Sequence, residues 1–273
     1  MRKNISGAYF IILILFIIAS GQIIASQALL AAQKTTSQKK IFILADAMDA
    51  PPFKTKNSNG EPAGIFHDII IQVFKYMKMP ILYKGYPWKR AQLLVKMKKA
   101  DALITVPTPE RLQYLVSGTE PVLIAHGRMF TQRDNPNIAR ISTAKSMSDI
   151  KDLKFISFLG GGWAKKILKG FNLEWFPDLP STCKALAAHR GDICFENRIV
   201  MMYAIKNIKK NQNALGLDFD NLVSFKAPVP DLVFTLLIRK DSGFVYLLPE
   251  FDSIIRTMHE NGEIDRIINK WIK

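Results

Sequence analysis

Apolar positions along the chain fall into short runs divided by polar turns, and two periods recur in them. Residues 41–45 and 102–105 are compact apolar runs of strand length, whereas Trp88, Ala91, Leu94 and Val95 repeat at the spacing of one helix face. The pattern predicts strands at 41–45, from Ile81, and at 102–105, 155–159 and 192–196. It predicts helices at 69–77 with Asp68 as N-cap, from Trp88 through Val95, at 147–153 and at 163–169. A further helix is capped by Ser181 or Thr182 and stops at Gly191, and others follow at 200–208, 247–260 and 264–272. Pro51-Pro52-Phe53 reads as a rigid extended segment and residues 57–60 as a turn. Strands alternating with helices of this length predict βαβ units and mainly parallel sheets. Residues 121–130 and 232–239 are longer extended runs, suited to crossing from one lobe to a second and back.

The N-terminus departs from this pattern. Arg2 and Lys3 precede an almost wholly apolar stretch, residues 8–18, and small residues follow. That order is a secretory signal peptide, residues 1–28, with Ser26-Gln27-Ala28 as a small-x-small cleavage site. An uncleaved anchor is the alternative, since apolar character persists to Ala32. Residues 29–39 read as a flexible lead-in, and the protein is expected in the periplasm. The 38 Lys and Arg against 23 Asp and Glu give a formal net charge of +15, two of it in the leader, with lysines spread along the chain. Such a surface favours acidic partners in general, but no nucleic-acid motif is present. Cys183 and Cys194 are permitted a disulfide in an exported protein, and two buried free thiols are the equal alternative. Four scattered histidines offer no metal site, and no cofactor is expected.

Candidate chemistry gathers at strand ends. Beyond residues 102–105 the chain presents Thr105, Thr108 and Arg111, two hydroxyls and a forked guanidinium suited to a carboxylate. Arg111 as a solvated residue in the first turn of a surface helix is the competing reading. The glycines 160–162, between a strand and a helix, form either an anion-binding turn or a purely structural one; they lack the spacing of a dinucleotide or phosphate loop. Glu196 and Asn197 end the strand at 192–196, on the same edge as that turn.

The chain resembles bacterial extracellular solute-binding proteins of family 3, the periplasmic amino-acid-binding components of ABC importers. The resemblance rests on short motifs in order: Pro51-Pro52-Phe53, Gly60 and Gly64, Lys99-Ala100-Asp101-Ala102, Thr108-Pro109-Glu110-Arg111 and Glu120-Pro121. It continues through Asp152-Leu153, Arg190-Gly191-Asp192, Ile238-Arg239-Lys240 and Asn261-Gly262-Glu263-Ile264 to Lys270-Trp271. It implies an α/β, two-lobed type II periplasmic binding protein. Residues 40–125 and 232–273 would form one lobe and 126–231 the other, joined by two hinge segments and closing on ligand. It also implies that Arg111 holds a ligand carboxylate, helped by Thr105 and by backbone N–H groups at Gly162 and Trp163. Phe53 would pack on the ligand, while Trp88 either lines the cleft or belongs to the core. Family members usually place an aspartate, for the ligand's ammonium group, where this chain has Asn197; Glu196 is adjacent but points to the opposite face of the strand. A standard amino acid is therefore not the expected ligand.

The function implied is non-enzymatic binding of a small carboxylate-bearing solute, an amino acid or related compound, by a monomer that delivers it to an inner-membrane ABC permease. A cyclohexadienyl-dehydratase-like enzyme using Glu196, and a ligand sensor without transport, are the alternatives, because one fold hosts several functions.

Overall fold

The apolar runs become two mixed sheets with helices packed against them in a computed structural model that describes residues 40–211 and 216–273. The expected signal peptide and lead-in lie outside the described residues. The chain from Ile41 to Lys273 forms one compact unit. It begins with β1 (Phe42–Ala47), a hairpin of β2 (Thr55–Lys56) and β3 (Pro62–Ala63), α1 (Ile65–Tyr76), β4 (Ile81–Tyr86) and α2 (Trp88–Lys96). Next come β5 (Ala102–Thr105), the single turn α3 (Pro109–Leu112), β6 (Leu115–Ser117) and β7 (Leu123–Ala125). The middle holds β8 (Gly127–Gln132), α4 (Ile138–Thr143), β9 (Phe155–Phe158), α5 (Gly162–Ile167), β10 (Leu173–Phe176), α6 (Leu179–Ala187), β11 (Ile193–Asn197), α7 (Arg198–Lys210) and β12 (Leu222–Lys226). The chain closes with β13 (Leu232–Arg239), α8 (Leu248–Glu260) and α9 (Glu263–Ile272).

The first sheet has the order β4-β1-β5-β13-β6, with β7 also on β13, and the second β10-β9-β11-β8-β12. In each, one side is parallel, β4-β1-β5 and β10-β9-β11, because helices return the chain between those strands. The sheets are otherwise antiparallel. β13 and β8 enter along extended connections from the other sheet, and an antiparallel neighbour needs no crossover helix. The extended run at 121–130 is two strands broken at His126, one in each sheet.

Several element ends differ from the sequence pattern. α1 starts at Ile65, not Ile69, because Ile65 and Phe66 are fully buried against the first sheet. Gly64 takes φ 121° there, and a Cβ would meet the Phe53 carbonyl oxygen at 2.5 Å. Asp68 is thus inside the helix, where it accepts from Trp271 Nε1 at 3.0 Å and ties α9 to α1. α6 is capped by Asp178, whose carboxylate accepts the Ser181 N–H at 2.7 Å, instead of by Ser181 or Thr182. It ends at Ala187, with His189 in the left-handed region. Gly191 does not end the helix; it lies so close to Ile156 that a Cβ would approach it to 2.4 Å. Residues 51–53 form a turn, not an extended segment, and residues 147–150 only a 3-10 turn. The short strands β10 and β12 carry charged residues, and pairing with neighbours defines them.

Cys183 and Cys194 are free and buried, and burial pushes both thiols up from their ordinary range. Cys183 Sγ packs 3.2 Å from Met201 Sδ. No described helix is long and apolar enough to cross a membrane.

Candidate ligand-binding site

The carboxyl ends of β1 and β5 bring together groups that lie far apart in the chain. Asp46, fully buried at the end of β1, accepts from the Lys54 ammonium, the Tyr83 phenol and the Ala47 N–H. Lys54 donates as well to the Ile104 carbonyl at 2.6 Å, and its Nζ lies 5.3 Å from the ring centroids of both Phe66 and Trp88. Burial, reinforced by the Asp46 charge, raises Tyr83 well above the usual phenol range, so it stays a donor. An ion pair this deep survives because every oxygen of the carboxylate is hydrogen-bonded. None of the signals singled out in the sequence pointed to this cluster.

Arg111 sits in the first turn of α3, as expected, and Thr108 caps that turn by accepting the Arg111 N–H at 3.4 Å. Its side chain folds back over the end of β5. Nη1 donates to Val106 O at 2.8 Å and Nη2 to Gln92 Oε1 at 3.5 Å, while Cζ lies 5.3 Å from the Trp88 ring centroid. Nε is buried and has no partner. Burial lowers the guanidinium pKa, though Glu110 and Tyr114 oppose the shift. A guanidinium stacked on an indole, with a buried N–H that no described residue accepts, has donor chemistry suited to a carboxylate. The structure therefore brings Arg111 and Trp88 together, with Lys54 on the same indole. Thr105 is buried at the strand end opposite Thr235, whose hydroxyl lies 2.8 Å from that of Ser117. Phe53 stacks on Phe66 at 5.6 Å and on Phe234 at 6.3 Å, within the edge of the core.

On the second sheet the glycine turn is tight. Gly161 N–H donates to Phe158 O and Gly162 N–H to Gly160 O, both at 2.9 Å, and Trp163 packs edge-on to Phe195 at 4.9 Å. Asn197 ends β11 and caps α7: its Oδ1 accepts the Ile199 N–H at 2.8 Å and its Nδ2 donates to His126 O at 3.2 Å. Glu196 Oε1 accepts the Asn197 N–H at 2.6 Å, and burial still pushes the carboxyl up to about 7. Among the described residues no group of histidine, cysteine and carboxylate side chains is placed to hold a metal.

Solved structures with this fold are numerous. An ancestral cationic amino acid solute-binding protein, AncCDT-1, matches with TM-score 0.63 at 20% identity, covering 86% of this chain and 97% of that one. The unliganded, open L-cystine solute receptor of Neisseria gonorrhoeae matches with TM-score 0.64 at 18% identity, covering 86% and 93%. The second substrate-binding domain of Lactococcus lactis GlnP, also open, matches with TM-score 0.60 at 19% identity, covering 87% and 97%. At these identities the likeness is one of fold, the type II periplasmic binding protein fold. No curated protein sequence matches the chain. The model of bacterial extracellular solute-binding proteins, family 3, matches residues 42–273, and the chain belongs to that family.

Proposed function

We propose that the chain binds a small carboxylate-bearing solute and hands it to an inner-membrane ABC permease, without chemical turnover. The observation that carries this is Arg111: its guanidinium is stacked on Trp88 at the end of β5, with a buried Nε that no described residue satisfies. Family membership supports solute binding, and the L-cystine receptor and GlnP domain make a transport role the natural context. In this reading residues 40–125 and 232–273 form one lobe, 126–231 the other, and closure about the connections near His126 and before β13 encloses the ligand. Export to the periplasm follows from residues 1–28. Asn197 offers a neutral amide that is already bonded to Ile199 and His126, so an ammonium group there would go uncompensated. The preferred ligand thus carries no ammonium facing Asn197.

The test is a thermal-shift screen of amino acids, monocarboxylates, dicarboxylates and aromatic acids, followed by calorimetry on the wild type and Arg111→Ala. A ligand at a hundred times its Kd stabilises by about 2.7 kcal/mol. Carboxylate ligands that bind the wild type and lose affinity in the variant support the reading; affinity indifferent to Arg111 overturns it. Prephenate turned over rather than held would make the protein an enzyme.

A further inference from the structure

A second cluster of cations lies where β8 pairs with β12, and no described residue forms an ion pair with it. Arg128 on β8 and Lys226 on β12 are directly opposite each other in the antiparallel register, so their side chains share one face. Like charges in that relation are destabilising. Arg198, the first residue of α7, lies beside them, and Arg128, Arg198 and Lys226 line a cavity of about 400 Å³ together with His126 and Asn197. Ile124 and Ile199 supply an apolar wall, which strengthens any charge interaction inside.

Neither acid beside this cavity pairs with its cations. Asp231 Oδ2 pairs with His126 Nδ1 at 2.9 Å, and its Oδ1 is buried without a partner among the described residues. Glu196 is opposite Arg128 in the β11–β8 register but accepts from the Asn197 N–H, and its burial favours the protonated form. Among the described residues no carboxylate lies within ion-pair distance of Arg128, Arg198 or Lys226. The Arg128 guanidinium is nevertheless fixed: Nε and Nη2 donate to Ser224 Oγ at 3.2 and 3.1 Å, and Nη2 also to Ser224 O at 2.7 Å. A guanidinium pinned by two of its nitrogens, a lysine facing it across the strands and a helix N-terminus at the same mouth form a receptor for an oxyanion.

We infer that this cavity takes a second oxyanion group of the ligand, a carboxylate or a phosphate, so that the solute is a dianion. The inference rests on the carboxylate reading of Arg111 and narrows its ligand class. It also accounts for a cationic setting around Asn197, where an ammonium group would meet repulsion instead of a counter-charge.

The experiment compares matched pairs by calorimetry at fixed ionic strength: succinate, glutarate and adipate against butyrate, valerate and hexanoate, with 3-phosphopropionate as the phosphate arm. At least one dianion should bind ten times more tightly than its monoanion, with the carboxylate and phosphate arms distinguishing the second group. Lys226 and Arg198 are exposed, so Lys226→Gln and Arg198→Gln are expected to fold. In the double variant the dianion-to-monoanion ratio should fall to within twofold, whereas a structural disturbance would weaken both and preserve the ratio. Equal binding of monoanions and dianions, both lost in Arg111→Ala, overturns the second oxyanion and leaves the first reading intact. A dianion preference that survives the double variant, or no dianion preference anywhere in the panel, overturns the inference as well. A dianion preference lost in the double variant but indifferent to Arg111→Ala supports the cavity and defeats the reading of Arg111.

Discussion

The Asn197 side chain donates to the His126 carbonyl at 3.2 Å while its Oδ1 caps α7, so one amide joins a helix N-terminus to the connection between the two sheets. Asn197→Ala removes both bonds and should cost about 1 to 2 kcal/mol of stability. Asn197→Asp keeps an equivalent cap but loses the donor to His126 and turns a carboxylate oxygen toward that carbonyl. Urea melts should therefore rank the wild type above both variants, with Asn197→Asp retaining the cap's share.

Arg111→Ala should leave unliganded stability nearly unchanged, because Arg111 makes one good hydrogen bond, to Val106 O, and α3 is a single turn without buried residues. Carboxylate affinity should fall at least tenfold, since truncating a desolvated charge partner costs about 2 to 5 kcal/mol. Arg111→Lys should recover little of it, because an ammonium cannot reproduce the planar fork stacked on Trp88. Titration calorimetry on the three proteins reads this directly.

Lys54→Met strands the fully buried Asp46 charge and should destabilise by about 3 to 5 kcal/mol. Lys54→Met combined with Asp46→Asn should be less harmful than Lys54→Met alone, because the uncompensated charge is gone. Denaturant melts of the two single variants and the double variant give the coupling; additive losses would show that the pair is not coupled.

Glu196 sets a pH dependence. Its carboxyl moves from an ordinary 4.5 up to about 7 on folding, so the native state holds the proton more tightly than the unfolded chain. That contribution is fully present below about 4.5 and is lost as pH rises through 7. Glu196→Gln keeps an acceptor for the Asn197 N–H and removes the charge. The variant should match the wild type near pH 4 and exceed it at pH 8 by up to about 3 kcal/mol. Parallel stability curves across that range would show that the carboxyl is not buried in solution.

Much of the architecture follows from local pattern. The strand at residues 102–105, the Thr108 cap with Pro109 behind it, the start of α2 at Trp88 and the two closing helices are set by apolar period and capping chemistry. Those signals lie within a few residues of the element they define. The motifs that mark the family are likewise local, and they led to Arg111 at its strand end.

What tertiary structure decided is where local preference met a neighbour. Asp68 has cap chemistry, yet burial of Ile65 and Phe66 draws α1 back to Gly64 and gives Asp68 to Trp271, 203 residues along the chain. Gly191 has the composition of a helix stop, but its small size serves Ile156 on another strand. The buried Asp46, Lys54 and Tyr83 cluster and the juxtaposed Arg128, Lys226 and Arg198 were illegible for the same reason. Each joins residues from different strands and helices, and only strand register and sheet order place their charges within reach of one another.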